Sequence, residues 1–209
     1  MKTLLRIDSS SRIVASHSRQ LADRVETAWR NAHPGGEVVF RDLVTTHVPH
    51  ISEDTVEGFH TPGHKMDNRL KDATALSDLL ISELQAADEI LISSPLYNLS
   101  TPSRLKAWID QVVRSGKTFA VDETGDYRGL LAGKVAYLVL ARGSKYSGTE
   151  MEKFDFQIPY LQAILGFMGI RVNEIFLLDG SSYPELLQTN LHALKNQIKD
   201  TFTTANTLS

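Results

Sequence analysis

Ser93-Ser-Pro-Leu-Tyr-Asn-Leu-Ser-Thr-Pro-Ser-Arg-Leu-Lys-Ala-Trp-Ile-Asp110 decides how the rest of the chain is read. It follows an apolar run, Glu89-Ile-Leu-Ile-Ser-Ser94, of the kind that fills a strand buried on both faces. Pro95 has no N–H to give and ends the ladder. Thr101 and Pro102 stand where an N-cap and a first helical residue are expected. Leu105, Trp108, Ile109, Val112 and Val113 then recur at helical spacing. A strand, a turn and a helix in this order make half of a parallel βαβ unit. In open sheets of that kind ligands bind beyond the carboxyl ends of the strands. Tyr97 and Asn98 stand at such an end with a flat ring, an amide and free backbone groups.

Outward from that stretch the pattern repeats. Strands are expected over residues 2–8, 37–43, 89–94, 134–141 and 171–178. Helices are expected over 19–32, 69–85, from about 103, over 154–168 and over 185–202. Residues 44–68 show no periodicity and read as a long loop, broken by Pro49, Gly58, Pro62 and Gly63 and carrying His47, His50, His60 and His64. Residues 117–132 read as a second excursion, and the tail from Thr203 as polar and frayed. Five strands alternating with five helices predict an α/β fold. Right-handed crossovers leave few topologies, and the flavodoxin-like order 2-1-3-4-5, with helices on both faces, is the common one. One domain over residues 1–209 is the expectation. The loops 9–18, 95–101 and 142–148 then meet at the carboxyl edge.

Composition bounds the function. The 209 residues carry 22 Lys and Arg against 25 Asp and Glu, a net charge of -3 that supplies no basic face for nucleic acid. There are no cysteines, which excludes disulfides, thiolate metal sites and a cysteine nucleophile. No apolar run approaches a membrane span, and the opening Met1 to Asp8 turns polar too soon for a signal peptide, so a cytoplasmic protein is expected. His60 and His64 lie among Thr, Pro and Gly with no carboxylate at matching spacing, and no metal is expected there.

The first strand-to-helix turn is rich in hydroxyls: Ser10, Ser16 and Ser18 flank the start of a helix, where free N–H groups and a partial positive charge suit a phosphate. Capping accounts for one serine, not for a cluster. No Gly-x-Gly-x-x-Gly follows the first strand, and Gly129-Leu-Leu-Ala-Gly-Lys134 has the wrong spacing for a nucleotide loop, so it reads as a turn. Arg142-Gly-Ser144 adds a charge and a flexible loop at the edge.

Together these pieces resemble the FMN-dependent NADH-azoreductase and quinone reductase family. The markers are Ser9-Ser10, Ser16-x-Ser18, Pro95-Leu-Tyr-Asn-Leu99, Ser103-Arg-Leu-Lys106, Gly116-Lys-Thr-Phe119, Gly133-Lys134, Arg142-Gly143, Pro159-Tyr-Leu161 and Leu165-Gly-Phe-Met-Gly169. The match runs nearly the whole chain. The resemblance implies bound FMN, with contacts at Ser10, Ser16, His17, Ser18, Leu96, Tyr97, Asn98, Leu99, Ala141, Arg142, Gly143 and Ser144. It implies NADH, or NADPH, as donor and quinones or azo compounds as acceptors in a ping-pong exchange of two electrons. It also implies a homodimer with the sites at the interface. The two long excursions, 44–68 and 117–132, are expected to cover the flat cofactor there, with residues around His60 and Val121 approaching the partner's flavin, and because the flavin carries the chemistry no catalytic side chain is expected. Leu99 stands where many members carry Phe. The alternative is a flavodoxin-type electron carrier without a substrate of its own. Carriers of that kind are usually shorter and strongly acidic, because charge steers their docking, and neither holds here.

Overall fold

The computed structural model describes residues 1–204, and the side chains of residues 1–203. Its centre is a five-stranded parallel sheet. The strands are β1 (Thr3–Asp8), β2 (Glu37–Asp42), β3 (Glu89–Pro95), β6 (Val135–Ala141) and β7 (Arg171–Leu178), in the order β2-β1-β3-β6-β7. The numbers skip because β4 (Phe119–Val121) and β5 (Tyr127–Gly129) form a separate antiparallel hairpin. With that hairpin set aside, the order is the expected 2-1-3-4-5.

Two apolar layers explain why β3 and β6 read as unbroken hydrophobic runs. On one face α1 (His17–Ala32) and α6 (Pro184–Thr204) press Leu21, Val25, Trp29, Leu194 and Ile198 onto Leu4, Leu91, Val139 and Phe176. On the other, α3 (Asn68–Ala86), α4 (Ser103–Val112) and α5 (Gln157–Phe167) bring Leu80, Leu84, Trp108, Leu161 and Leu165 against Leu5, Ile7, Ile92 and Leu138. Successive residues of one strand thus enter opposite cores. Each fully buried aliphatic or aromatic side chain contributes roughly 1.5–3 kcal/mol over an exposed one.

The structure departs from the sequence expectations in five places. Residues 44–68 contain a helix, α2 (Glu53–His60), and a 3₁₀ turn at Gly63–Lys65. Ser52 caps α2 by accepting the Thr55 N–H at 3.2 Å, and Glu53 and Asp54 lie in its first turn, where the helix dipole favours negative charge. Pro102, not Thr101, occupies the N-cap of α4, and Ser103 is the first helical residue. The 117–132 excursion is the β4–β5 hairpin, and α5 begins three residues late, after a 3₁₀ turn at Glu152–Phe154. The tail expected to fray from Thr203 is helical through Thr204; residues 205–209 lie outside the described ones.

Gly129-Leu-Leu-Ala-Gly-Lys134 is a turn. A Cβ on Gly129 would sit 2.2 Å from the backbone nitrogen of Gly169, so only glycine allows that approach. Lys134 donates to the Gln85 carbonyl at 2.7 Å and to that of Ala87, at the end of α3. No described helix is long and apolar enough to cross a membrane.

Candidate active site

The first strand-to-helix turn is built on a buried ionic network. Asp8, at the end of β1, accepts from Arg6 at 2.9 Å and from Arg19 at 3.4 Å. Arg19 also grips Asp42, at the end of β2, through two hydrogen bonds of 2.8 Å, and donates to the Ser10 carbonyl at 2.9 Å. Four charges thus fasten the turn to two strands. Burial pushes the Asp8 carboxyl up, against the pull of Arg6 and Arg19. Burial also acts to raise Asp42, but the Arg19 hydrogen bond, with that of the Val44 N–H, holds it below the usual carboxylate range.

On this base the serines converge. Ser16 is the N-cap of α1, yet its hydroxyl meets the Arg19 N–H only at 3.5 Å and lies 3.3 Å from the Ser18 hydroxyl. Ser10, Ser16 and Ser18 are all buried. Ala15 just ahead is in the left-handed region at φ 56°. Cap and cluster are therefore one arrangement: hydroxyls and first-turn N–H groups facing a common space.

That space is a cavity of about 390 Å³ lined by Ser10, Ser16, His17, Ser18, Leu96, Tyr97, Ala141 and Gly143, together with Arg12, Ala15, Pro95, Ser181 and Ser182. Three loops meet there as the topology requires, and a fourth, following β7, completes the wall. It is anchored by the Ser181 N–H donating to the Arg142 carbonyl at 2.8 Å and the Ser182 N–H to that of Gly143 at 3.0 Å. A Cβ on Gly143 would come within 2.9 Å of the Ser182 hydroxyl, so glycine lets the two loops of this wall approach closely.

Tyr97 also lines a second cavity, of about 520 Å³, with Asn98, Ser100, Thr101, Ser103, Lys106 and Tyr160. Between the two lies a tight turn. Tyr97 and Ser100 exchange N–H and carbonyl at 2.9 and 3.0 Å, and Asn98 and Leu99 between them have φ of 47° and 70°. Two left-handed central residues define the turn that usually carries Asn-Gly, and leucine in the second place is strained.

Leu99, Arg142 and Ser144 line neither cavity. The Arg142 guanidinium, expected to offer its charge at the edge, is instead buried, 2.5 Å from Asp155, with its Nε unpaired. Sequence reasoning missed Arg12, although it sits in the serine loop, and Ser181 and Ser182, although Asp179-Gly-Ser-Ser182 follows a strand. His60 Nδ1 faces the Val56 carbonyl at 2.8 Å; among the described residues no group of His, Asp or Glu is arranged to hold a metal.

A family model described as "Flavodoxin-like fold" matches residues 1–202. An FMN-dependent NADH:quinone oxidoreductase of Xanthobacter autotrophicus is 51% identical over 177 residues, 84% of this chain and 85% of its own length. The chain belongs to the FMN-dependent NADH:quinone oxidoreductase family. A second member, from Marinomonas, is 38% identical over 95% of this chain and 98% of its own. The crystal structure of an azoreductase from Bacillus anthracis superposes with a TM-score of 0.88 over the full length of both chains at 26% identity.

Proposed function

We propose that this chain is an oxidoreductase that binds FMN and uses NADH to reduce quinones and azo compounds. The cleft carries the reading. Its serine end fits the terminal phosphate: buried hydroxyls that make only long contacts with one another keep donors to give, and the start of α1 adds free N–H groups. Arg12 and His17 line the same end. The other end fits a flat ring, between the Tyr97 turn and the loop at Gly143, which projects no side chain. FMN held there would supply the two-electron redox chemistry that links the nicotinamide to the acceptor.

The chain's own part is holding and positioning. Serines 10, 16 and 18 fix the phosphate, Tyr97 and Asn98 set the tilt of the ring, and the wall at Pro95, Leu96 and Ala141 excludes water. Such positioning sets a rate through geometry rather than proton transfer, so no side chain is assigned as catalytic. Donor and acceptor share one open face of the cleft and take turns on it.

We assign the active form as a homodimer of one-domain subunits in the cytoplasm. In support, Val121, Tyr127, Phe154 and Phe156 are apolar and exposed on the hairpin and on the segment leading into α5.

An anaerobic titration tests the reading. One equivalent of NADH should bleach the visible absorbance of the FMN-loaded protein, and added quinone should restore it. Steady-state plots against both substrates should give parallel lines. A loaded protein whose spectrum ignores NADH would overturn the assignment and favour a carrier that serves only other redox proteins.

A further inference from the structure

Asp155, Phe156 and Gln157, at the start of α5, contact both loops of the ring end, though none of them lines either cavity. Asp155 holds the buried Arg142 at the root of the 142–144 loop. Its other oxygen accepts the N–H groups of Gln157 and Ile158 at 3.0 and 3.2 Å, which locks the carboxylate to the helix start. The Phe156 N–H donates to the Leu99 carbonyl at 3.1 Å, on a left-handed residue of the turn. Gln157, with no exposed surface, donates to the Pro95 carbonyl at 2.8 Å and to the Ser94 hydroxyl at 3.1 Å. The Leu96 N–H meets the Ala141 carbonyl at 2.9 Å, so the two loops are also joined to each other.

The geometry points to Asp155 and Gln157 as positioning residues that fix the ring-binding end of the cleft from behind, with no contact of their own to the cofactor. This rests on the reading of that cleft as the flavin site. A left-handed leucine persists only where its surroundings over-determine it. Three ties from one helix start, to residues 94–95, 99 and 142, supply that determination. The phosphate end has its own support in Arg19, Asp8 and Asp42, so the two ends are fixed by separate sets of residues.

The separation makes the inference testable by binding. Asp155→Asn retains an oxygen for the Gln157 and Ile158 N–H groups while removing the charge opposite Arg142. Gln157→Met keeps the length and removes the donor to Pro95. Each should weaken FMN and riboflavin by the same factor, roughly tenfold, the upper scale of one lost hydrogen bond. In the apoprotein each should speed amide exchange at Tyr97 and Ser100, whose N–H groups close the turn, and leave α1 amides unchanged. Asp155→Glu should recover most of the affinity.

Wild-type affinity for both flavins with unchanged exchange at Tyr97 and Ser100 would overturn the proposal. So would faster exchange throughout the chain, which marks a purely structural role. Should the wild-type protein bind neither flavin, the reading of the cleft falls, while exchange at the turn still decides whether these residues hold it.

Discussion

Ser16 and Ser18 spend little of their hydrogen-bonding capacity on the protein. Their hydroxyls lie 3.3 Å apart, and the cap bond to Arg19 is long. Replacing both with alanine should therefore cost little folding stability but much phosphate affinity. Each hydrogen bond to a charged group contributes about 1.5–3 kcal/mol. Ser16→Ala with Ser18→Ala should weaken FMN strongly and riboflavin hardly at all, read by quenching of flavin fluorescence. Equal losses for the two flavins would assign the serines to structure alone. These residues were legible because a phosphate at a helix start calls for hydroxyls at close sequence spacing. Arg142 was legible as a charge but not in its burial, since its partner Asp155 lies on another element. Asp155 and Gln157 left no signal: one stands two residues before the apolar helix α5 and the other opens it, as unremarkable polar residues do.

Strands were easier to read than the segments between them. β3 and β6 are covered on both faces, so their sequences run apolar without a break. α2 went unread because it has eight residues, includes Gly58 and is bounded by Pro49 and Pro62. β4 and β5 have three residues each, too few to show alternation. The joint between β1, α1 and β2 also escaped notice, because Asp8, Arg19 and Asp42 meet only in the fold. That joint has a pH signature. Asp42, held below its ordinary range when folded, contributes stability that is complete at neutral pH. As acid is added, the unfolded carboxyl takes up its proton first, and the contribution is lost below about pH 4. Asp8, pushed up by burial, acts in the opposite sense: its contribution is present in acid and is lost as the pH rises through its folded value. Asp42→Asn should accordingly lower the melting temperature at neutral pH, and the gap from wild type should narrow in acid. Melts across the range check this, and a gap of constant size would remove Asp42 as its source.

At the scale of the molecule, the hairpin and the segment leading into α5 leave aromatic side chains in water that a second copy would cover. Sedimentation at micromolar concentration should give a dimer, and Val121→Lys with Tyr127→Lys should shift it toward monomer and reduce turnover. A fully active monomer would refute the shared-site assembly. The strand order β2-β1-β3-β6-β7 bears on how the chain is made as well as on what it binds. β1 leaves the ribosome first and waits for nothing but β2, its neighbour on one side. β3 then closes its other side, β6 adds to β3, and β7 adds to β6. From β3 onward the newest strand meets a ladder already in place, although parallel sheets ordinarily assemble slowly because their partners are distant in sequence. The order therefore allows this sheet to grow outward from its first-made strand during synthesis, with no strand obliged to insert between two others.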